Sequence, residues 1–477
     1  MHFFNPFFQF PVSADKNKLS VLEVDKELLD DITELIREKS DAALQNILAD
    51  LYDFDIAVLI DNLINDEDAV YLFSLLKDET ASEVILEISD DRKNAITERL
   101  SGEKISGIVS EMYSDDATDF VSDLDENKKV EVLENLDRID NEDYNEVKEL
   151  LSYDENTAGG IMAKEYISVH EYCTVTEAIN EIQEKADDVD QFYNVWVVDK
   201  ENVLKGVISL KRLIVSLKNP GMHINEVMYP DVISIEANTD QEEVAKIFKS
   251  YDLVSAPVVD SHNKLIGMIS IDDIVDVIEE EYSENVARMT GTDAEELEKK
   301  SPYEIAKLRL PWLLITLFIE FIAVFIVRMH DEMLEKIILL AAFMPIISAI
   351  SGNTGLQSAA IMVRGIDTGN VTLSKWYVPL FRQFKTNLII GLVIALIVGL
   401  LGYFISDSNE LKFGASVSIS MFISINIAGI IGTVSPMLSK KLGFDPALTS
   451  GPFETAFQDV IGIFVFLSVS AILLTNL

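Results

Sequence analysis

Five apolar stretches in the last third of the chain limit what it can fold into more than any other feature. They run at about Leu310–Val327, Ile337–Val363, Asn387–Ile405, Phe413–Leu438 and Phe453–Leu474. A helix crosses a bilayer with roughly 20 apolar residues. A backbone in lipid must satisfy its own hydrogen bonds, which helices do within one segment. The expectation over 306–477 is therefore an all-α membrane domain of five helices. The connections alternate in charge. Asp331, Glu332 and Glu335 follow the first stretch; Arg364, Lys375, Arg382 and Lys385 follow the second; Asp407 and Glu410 follow the third; Lys440 and Lys441 follow the fourth. Lys307 and Arg309 precede the first, and Lys412 is the exception. Basic connections stay in the cytosol. This predicts a multi-pass protein of the cell membrane with its N-terminus cytoplasmic and its C-terminus outside. A buried soluble helix accounts for any single stretch, not for five with alternating connections.

The last stretch contains Asp459, six residues in from Phe453. Before it come Phe444-Asp445-Pro446-Ala447 and Ser450-Gly451-Pro452. An ionised carboxylate in a membrane helix costs roughly 3 kcal/mol, so it belongs where it meets water and a cation. Asp459 is the candidate pore residue; the alternative is a carboxylate close enough to the interface to reach water. The second stretch carries Ser351-Gly352-Asn353-Thr354-Gly355-Leu356-Gln357-Ser358, and the fourth carries Asn426-Ile427-Ala428-Gly429, then Gly432 and Pro436. Small residues let helices approach, and amides bond across them. Packing explains the glycines. The amides and hydroxyls read better as a lining, which gives Asn353, Thr354, Gln357 and Asn426 as candidates, with Gly451 and Thr455 before Asp459. Asp445 and Glu454 are further candidate ion contacts. Glu320 is a second membrane acid with no role assigned.

The formal charge of −43 is confined to the first 300 residues, where 70 acids face 27 Lys and Arg; the remainder holds 11 of each. Such a surface repels nucleic acid and repels itself, so its compact form depends on cations. Over about 20–155 the pattern is helical: Ile56, Leu59, Ile60 and Leu63 form one apolar face. Acidic punctuation recurs at Asn65–Asp68, Ser89–Asp91, Ser114–Asp116 and Asp123–Glu126. Ser and Asp cap helix N-termini, and acids suit the positive end of a helix. A superhelical stack of short helices follows. Asp115 and Asp119, four apart, share a helix face, which is unfavourable unless a cation bridges them. The single cysteine, Cys173, leaves no internal disulfide and suits the cytosol. The five histidines show no metal-ligand spacing. Met1–Pro11 lacks the basic start and apolar core of a secretory signal. No nucleophile–base set, phosphate loop or zinc motif is present, so an enzyme is not expected.

Between these parts lies an internal repeat. Val197-Val198-Asp199 is echoed by Val258-Val259-Asp260, and Leu204-Lys205-Gly206-Val207-Ile208-Ser209 by Leu265-Ile266-Gly267-Met268-Ile269-Ser270. Each copy reads β-α-β-β-α, with helices at Thr174–Glu184 and Asp240–Ser250 and strands at Val195–Val198 and Pro257–Val259. This resembles the CBS domain in tandem, over roughly Ala158–Glu280. Such pairs often bind adenine nucleotides through an acid at the start of the final helix. The second copy has Asp273 there and the first has Arg212, so a regulatory pair without nucleotide is the alternative. Ile278 to about Lys300 then reads as an amphipathic connecting helix ended by Pro302.

The string Gly352-Asn353-Thr354-Gly355-Leu356-Gln357-Ser358 with Arg364-Gly365 resembles the MgtE magnesium channels. So do Asp445-Pro446-Ala447, Ser450-Gly451-Pro452 and Asp459-Val460, and so does the order of parts. The resemblance implies a terminal extension (1–19), an acidic helical N domain (20–155), two CBS domains (156–220 and 221–282), a connecting plug helix (283–305) and a five-helix pore domain (306–477). It implies a homodimer that conducts Mg²⁺ along the subunit interface, with Asp459 as the pore ligand. It further implies closure by cytosolic Mg²⁺ held by Glu83, Asp115, Asp119, Asp252, Asp273, Asp276, Glu281 and Glu284. Glu454 departs from the family, which usually carries an apolar residue there. A channel for Co²⁺ or Mn²⁺ and a non-conducting membrane sensor of magnesium or nucleotide remain the alternatives.

Overall fold

The computed structural model describes residues 24–185, 189, 192–292, 294, 301–406, 410–447 and 450–474. The expected extension 1–19 and the acidic connection 407–409 lie outside them. Two compact units divide the chain, Met1–Glu279 and Glu280–Leu477.

In the first unit, short helices follow one another: α1 (Lys26–Arg37), α2 (Asp41–Leu48), α3 (Asp53–Asp61), α4 (Asp66–Ser74), α5 (Asp78–Glu87), α6 (Asp90–Arg99), α7 (Gly102–Val109), α8 (Ser114–Asp123), α9 (Glu126–Ile139) and α10 (Asn141–Leu150). The acidic punctuation marks helix starts, since α4, α6, α8 and α9 all open on it. Alternate helices pack on one another, as α3 on α5, α4 on α6, α5 on α7, α7 on α9 and α8 on α10, which makes the stack a superhelix. The apolar face expected at Ile56, Leu59, Ile60 and Leu63 is fully buried, with Leu72, Phe73, Val84 and Ile85 against it.

The repeat folds as two matching three-stranded sheets. The first is β1 (Ser168–His170), β2 (Asn194–Val198) and β3 (Leu204–Ser209); the second is β4 (Ile235–Glu236), β5 (Ser255–Val259) and β6 (Leu265–Ser270). In each, the first pair is parallel and the second antiparallel, with the register shifting at the equivalent Val197/Val198 and Val258/Val259. Their helices are α11 (Val175–Lys185), α12 (Leu210–Ser216), α13 (Ile224–Val227) and α14 (Gln241–Tyr251). The hairpin turns match too. Asn202 and Asn263 both adopt positive φ, 63° and 59°, a left-handed conformation that asparagine tolerates. Each turn bonds the other copy: Leu204 N donates to Asn263 O and Leu265 N to Asn202 O, both at 2.9 Å. The helix α15 (Ile271–Thr290) closes the second copy and continues as the connecting helix. It ends ten residues before the expected Lys300, where Gly291 turns left-handed at φ 75°. Pro302 opens the next helix rather than ending this one. Ser301 and Glu304 form a capping box around it, and a proline in the first helical turn gives up an amide that has no partner anyway.

The second unit contains α16 (Pro302–Arg328), α17 (Asp331–Lys336), α18 (Leu339–Asp367), α19 (Tyr377–Ile405), α20 (Glu410–Leu442) and α21 (Pro452–Leu474). Five of these are long and apolar enough to cross a membrane. α20 is central: it packs on α18, α19 and α21, and α21 in turn packs on α16 and α18. α19 starts ten residues before the expected Asn387, so Arg382 and Lys385 are helical. Hydropathy marks only the part of a helix in lipid, and basic residues continue it into the interface. The core centres on Phe343, Phe413, Met421 and Phe466, with Phe343 and Phe413 edge to face.

Candidate functional site

The membrane carboxylate sits two turns into α21. Asp459 is half-buried, and its Oδ1 accepts a hydrogen bond from Ser348 Oγ of α18 at 2.5 Å. One turn further along α18, Gly352 leaves open the space a side chain would take: a Cβ there would stand 3.4 Å from Asp459 Oδ1 and 3.5 Å from Thr455 Cγ2. Glu320 of α16 comes within hydrogen-bonding reach of Asp459. Sequence reasoning marked Asp459, Thr455 and Glu320. It missed Ser348, because a hydroxyl in an apolar helix usually returns to its own backbone, as Ser351 does to Ile347 O.

The other lining candidates are placed differently. Asn353 and Gln357, one turn apart, are both exposed on α18. Thr354 is buried and bonds Ile350 O at 2.8 Å. Asn426 is buried in the α19–α20 seam beside Gly391, with Nδ2 on Phe422 O and Oδ1 unpartnered among the described residues. Gly451 faces the end of α15, where a Cβ would stand 2.2 Å from Met289 O. Glu454 is buried, 1% exposed. Ser435 donates to it at 3.2 Å and Gln458 Nε2 at 2.8 Å. Asp445 Oδ2 pairs with Arg288 of α15 at 2.8 Å, and Arg288 also pairs with Glu284 at 2.6 Å. Glu281 lies within electrostatic reach of the same guanidinium.

In the first unit the acids converge. Asp115 of α8 lies within electrostatic reach of Asp116, of Asp273 at the start of α15 and of Glu165, and Asp116 within reach of Asp273, Asp119, Glu83 on α5 and Glu165. Glu165 caps α8: Ser114 N donates to its Oε1 and Ser114 Oγ to its Oε2, both at 2.8 Å. Asp273 accepts from Ser270 N at 3.0 Å and Ser270 Oγ at 2.7 Å. Burial, and then Asp116, Asp273 and Glu165, hold the Asp115 carboxyl well above the usual range. Burial, then Asp273, Asp119 and Glu83, push Asp116 up to about 7. Desolvation and then Asp273 raise Asp276. Among the described residues no Lys or Arg pairs with Asp115, Asp116, Glu165 or Asp273. Nor do three or more Asp, Glu, His or Cys side chains gather there as a direct metal-holding set. The carboxylates share a field rather than a coordination shell. Asp252 stays apart, exposed at the left-handed C-cap of α14. Sequence reasoning missed Asp116 and Glu165. In the first CBS copy, the Arg212 guanidinium stacks over the Tyr229 ring at 3.9 Å, where the second copy has its acid.

A five-helix membrane domain with a carboxylate among its helices, an acidic superhelix and a CBS pair together define a multi-pass cation transporter rather than an enzyme. Comparison with known proteins agrees. The profile of the MgtE divalent cation transporter domain matches residues 344–469, that of the MgtE intracellular N domain 51–156, and that of the CBS domain 158–219 and 224–280. The magnesium transporter MgtE of Thermus thermophilus is 34% identical over 331 residues, 69% of this chain and 72% of that one. The magnesium transporter MgtE of Enterococcus faecalis is 34% identical over 338 residues, with the same shares covered. A crystal structure of the cytosolic domain of the Mg²⁺ channel MgtE in complex with ATP is 32% identical, covering 52% of this chain and all of that one, with a TM-score of 0.49. The chain belongs to the MgtE family.

Proposed function

We propose that this chain is a Mg²⁺ channel for uptake, working as a homodimer and closed by cytosolic Mg²⁺. The observation that carries the reading is Asp459, a half-buried carboxylate between α16, α18 and α21 with a hydroxyl donor and no basic partner among the described residues. Two copies of Asp459 near a dimer axis would attract a hydrated Mg²⁺. That ion gives up water reluctantly and is often held through one or two carboxylates. The N-terminus lies in the cytosol and the C-terminus outside, on the alternation of loop charge.

Closure follows from the field of the acidic cluster. Glu83, Asp115, Asp116, Asp119, Glu165, Asp273 and Asp276 repel one another when ionised. A hydrated Mg²⁺ among them relieves that repulsion without needing a preformed ligand shell, which suits carboxylates that share a field. The bound state is compact, and a ligand that prefers one state shifts the population to it. Glu281 and Glu284 extend the same response along the connecting helix. For an adenine nucleotide, only the second copy offers an acid at the start of its final helix, Asp273, whose Oδ2 accepts from Ser270, while the first has Arg212 at the matching position.

The test is Mg²⁺ influx into proteoliposomes holding the full chain. Wild type is expected to conduct and Asp459→Asn to lose flux. Flux retained in Asp459→Asn rejects the pore assignment, and no flux in wild type favours a sensor. The transporter profile covers divalent cations in general, so Co²⁺ and Mn²⁺ belong in the same assay as competitors.

A further inference from the structure

Glu320 stands outside residues 344–469, the stretch that matches the transporter profile. It is nonetheless the side chain that brings a second carboxyl to Asp459. α16 and α21 pack side by side, and Glu320 is half-buried on the face turned to α21. No Lys or Arg among the described residues pairs with either acid. On the α18 side the neighbours are Ser348, which donates to Asp459, and Gly352, whose missing side chain leaves the carboxylate uncovered. Two carboxylates from different helices and one hydroxyl, with no side chain at Gly352 between them and α18, let a divalent ion be received from more than one side.

We propose that Glu320 is a selectivity-determining residue of the conduction path, its carboxylate receiving the divalent cation together with that of Asp459. This rests on the reading that Asp459 lies in that path. A dimer then presents four carboxylates at this level rather than two. The added charge raises affinity for every divalent ion. It raises it most for ions that exchange water for carboxylate readily, such as Mn²⁺ and Co²⁺, because Mg²⁺ keeps its shell. A substitution at Glu320 removes one charge from each protomer, two in the dimer, and each lost charge near a divalent ion weakens its attraction by about tenfold even in a water-like dielectric.

The experiment reconstitutes full-length wild type, Glu320→Gln, Glu320→Asp and Asp459→Asn in liposomes and reads influx of Mg²⁺, Mn²⁺ and Co²⁺ against concentration at one pH. Glu320→Gln is expected to conduct, with half-saturation for Mg²⁺ raised about a hundredfold and that for Mn²⁺ and Co²⁺ raised further. Glu320→Asp keeps the charge and withdraws it by one methylene, so its half-saturation falls between the two. Wild-type half-saturation and ion ranking in Glu320→Gln overturn the inference while leaving Asp459 in the path. If Glu320→Gln does not reconstitute, an unchanged ranking in Glu320→Asp overturns it. Flux that survives in Asp459→Asn sinks the underlying reading instead.

Discussion

Five residues along an α-helix turn the chain by about 140° beyond a full circle, so Glu454 and Asp459 cannot share a face of α21. Asp459 turns to α16 and α18, whereas Glu454 turns to Ser435 of α20 and to Gly355 of α18. Its two acceptor oxygens take the Ser435 hydroxyl and the Gln458 amide. Gln458 Oε1 already has no partner among the described residues. Truncation at Glu454 would take an acceptor from the half-buried Ser435 and the buried Gln458 amide and leave a void beside Gly355. Glu454→Ala is therefore expected to cost about 2–4 kcal/mol, measured as thermal unfolding of the detergent-solubilised chain by tryptophan fluorescence. Glu454→Gln keeps volume and one acceptor and is expected to leave the Mg²⁺ half-saturation of flux where it was. A raised half-saturation would put Glu454 back in the ion's path. The identity of Asp459 was legible because an acid stands out in an apolar run. The direction Glu454 faces was not, since a run of apolar residues does not say which neighbour each side of the helix meets.

At the scale of elements, the membrane helices are fitted by backbone contact. A Cβ on Gly432 of α20 would stand 2.2 Å from Gly355 O of α18, so the two helices meet where neither has a side chain. The end of α15 meets the head of α21 in the same way. Met289 O lies against Gly451, Gly291 lies against Pro452, and the Arg288 guanidinium spans Glu284 and Asp445. Arg288 is a covalently tethered cation among carboxylates, so it does at this point what a divalent ion would do elsewhere. Removing it makes the docking of the connecting helix depend on added cation. Arg288→Gln is expected to shift the Mg²⁺ concentration that halves flux upward about threefold, and Arg288→Asp further. In proteoliposomes with Mg²⁺ varied on the cytosolic face, Arg288→Asp with Asp445→Arg is expected to restore it. No rescue by the exchanged pair would show that the ion pair does not hold the helix. The existence of all five membrane helices was legible from length and composition. The end of α15 and the role of Pro302 were misread, because charged helix-prone sequence runs past Thr290 without a stop that periodicity can see. The stop is the backbone of Gly291, and the proline serves the helix after it.

At the scale of the whole molecule, the charge confined to the first 300 residues becomes a statement about pH and cations. The sequence showed the excess and most members of the acidic cluster. It hid Asp116 and Glu165, because their role depends on a cap formed across about 50 residues, Ser114 to Glu165. In that unit Asp116 and Glu146 are pushed up to about 7 and Asp143 to about 6, with burial the first cause in each. A folded-state value above the unfolded one favours the compact form below the unfolded value, near 4, and withdraws that stability as pH rises through about 7. Without divalent cations, the protease resistance of residues 24–279 in the full chain is therefore expected to fall between pH 5 and pH 7.5. On the proposed reading, Mg²⁺ bound to the ionised carboxylates would restore resistance at pH 7.5 and add little at pH 5, where protons already hold the charge down. Na⁺ at equal ionic strength only shortens the range of the repulsion and cannot stand between two carboxylates as a hydrated divalent ion does. Equal protection by both salts would reduce the cluster to a screened polyanion. Protection by Mg²⁺ that grows with pH would mark it as the place where the cation is sensed.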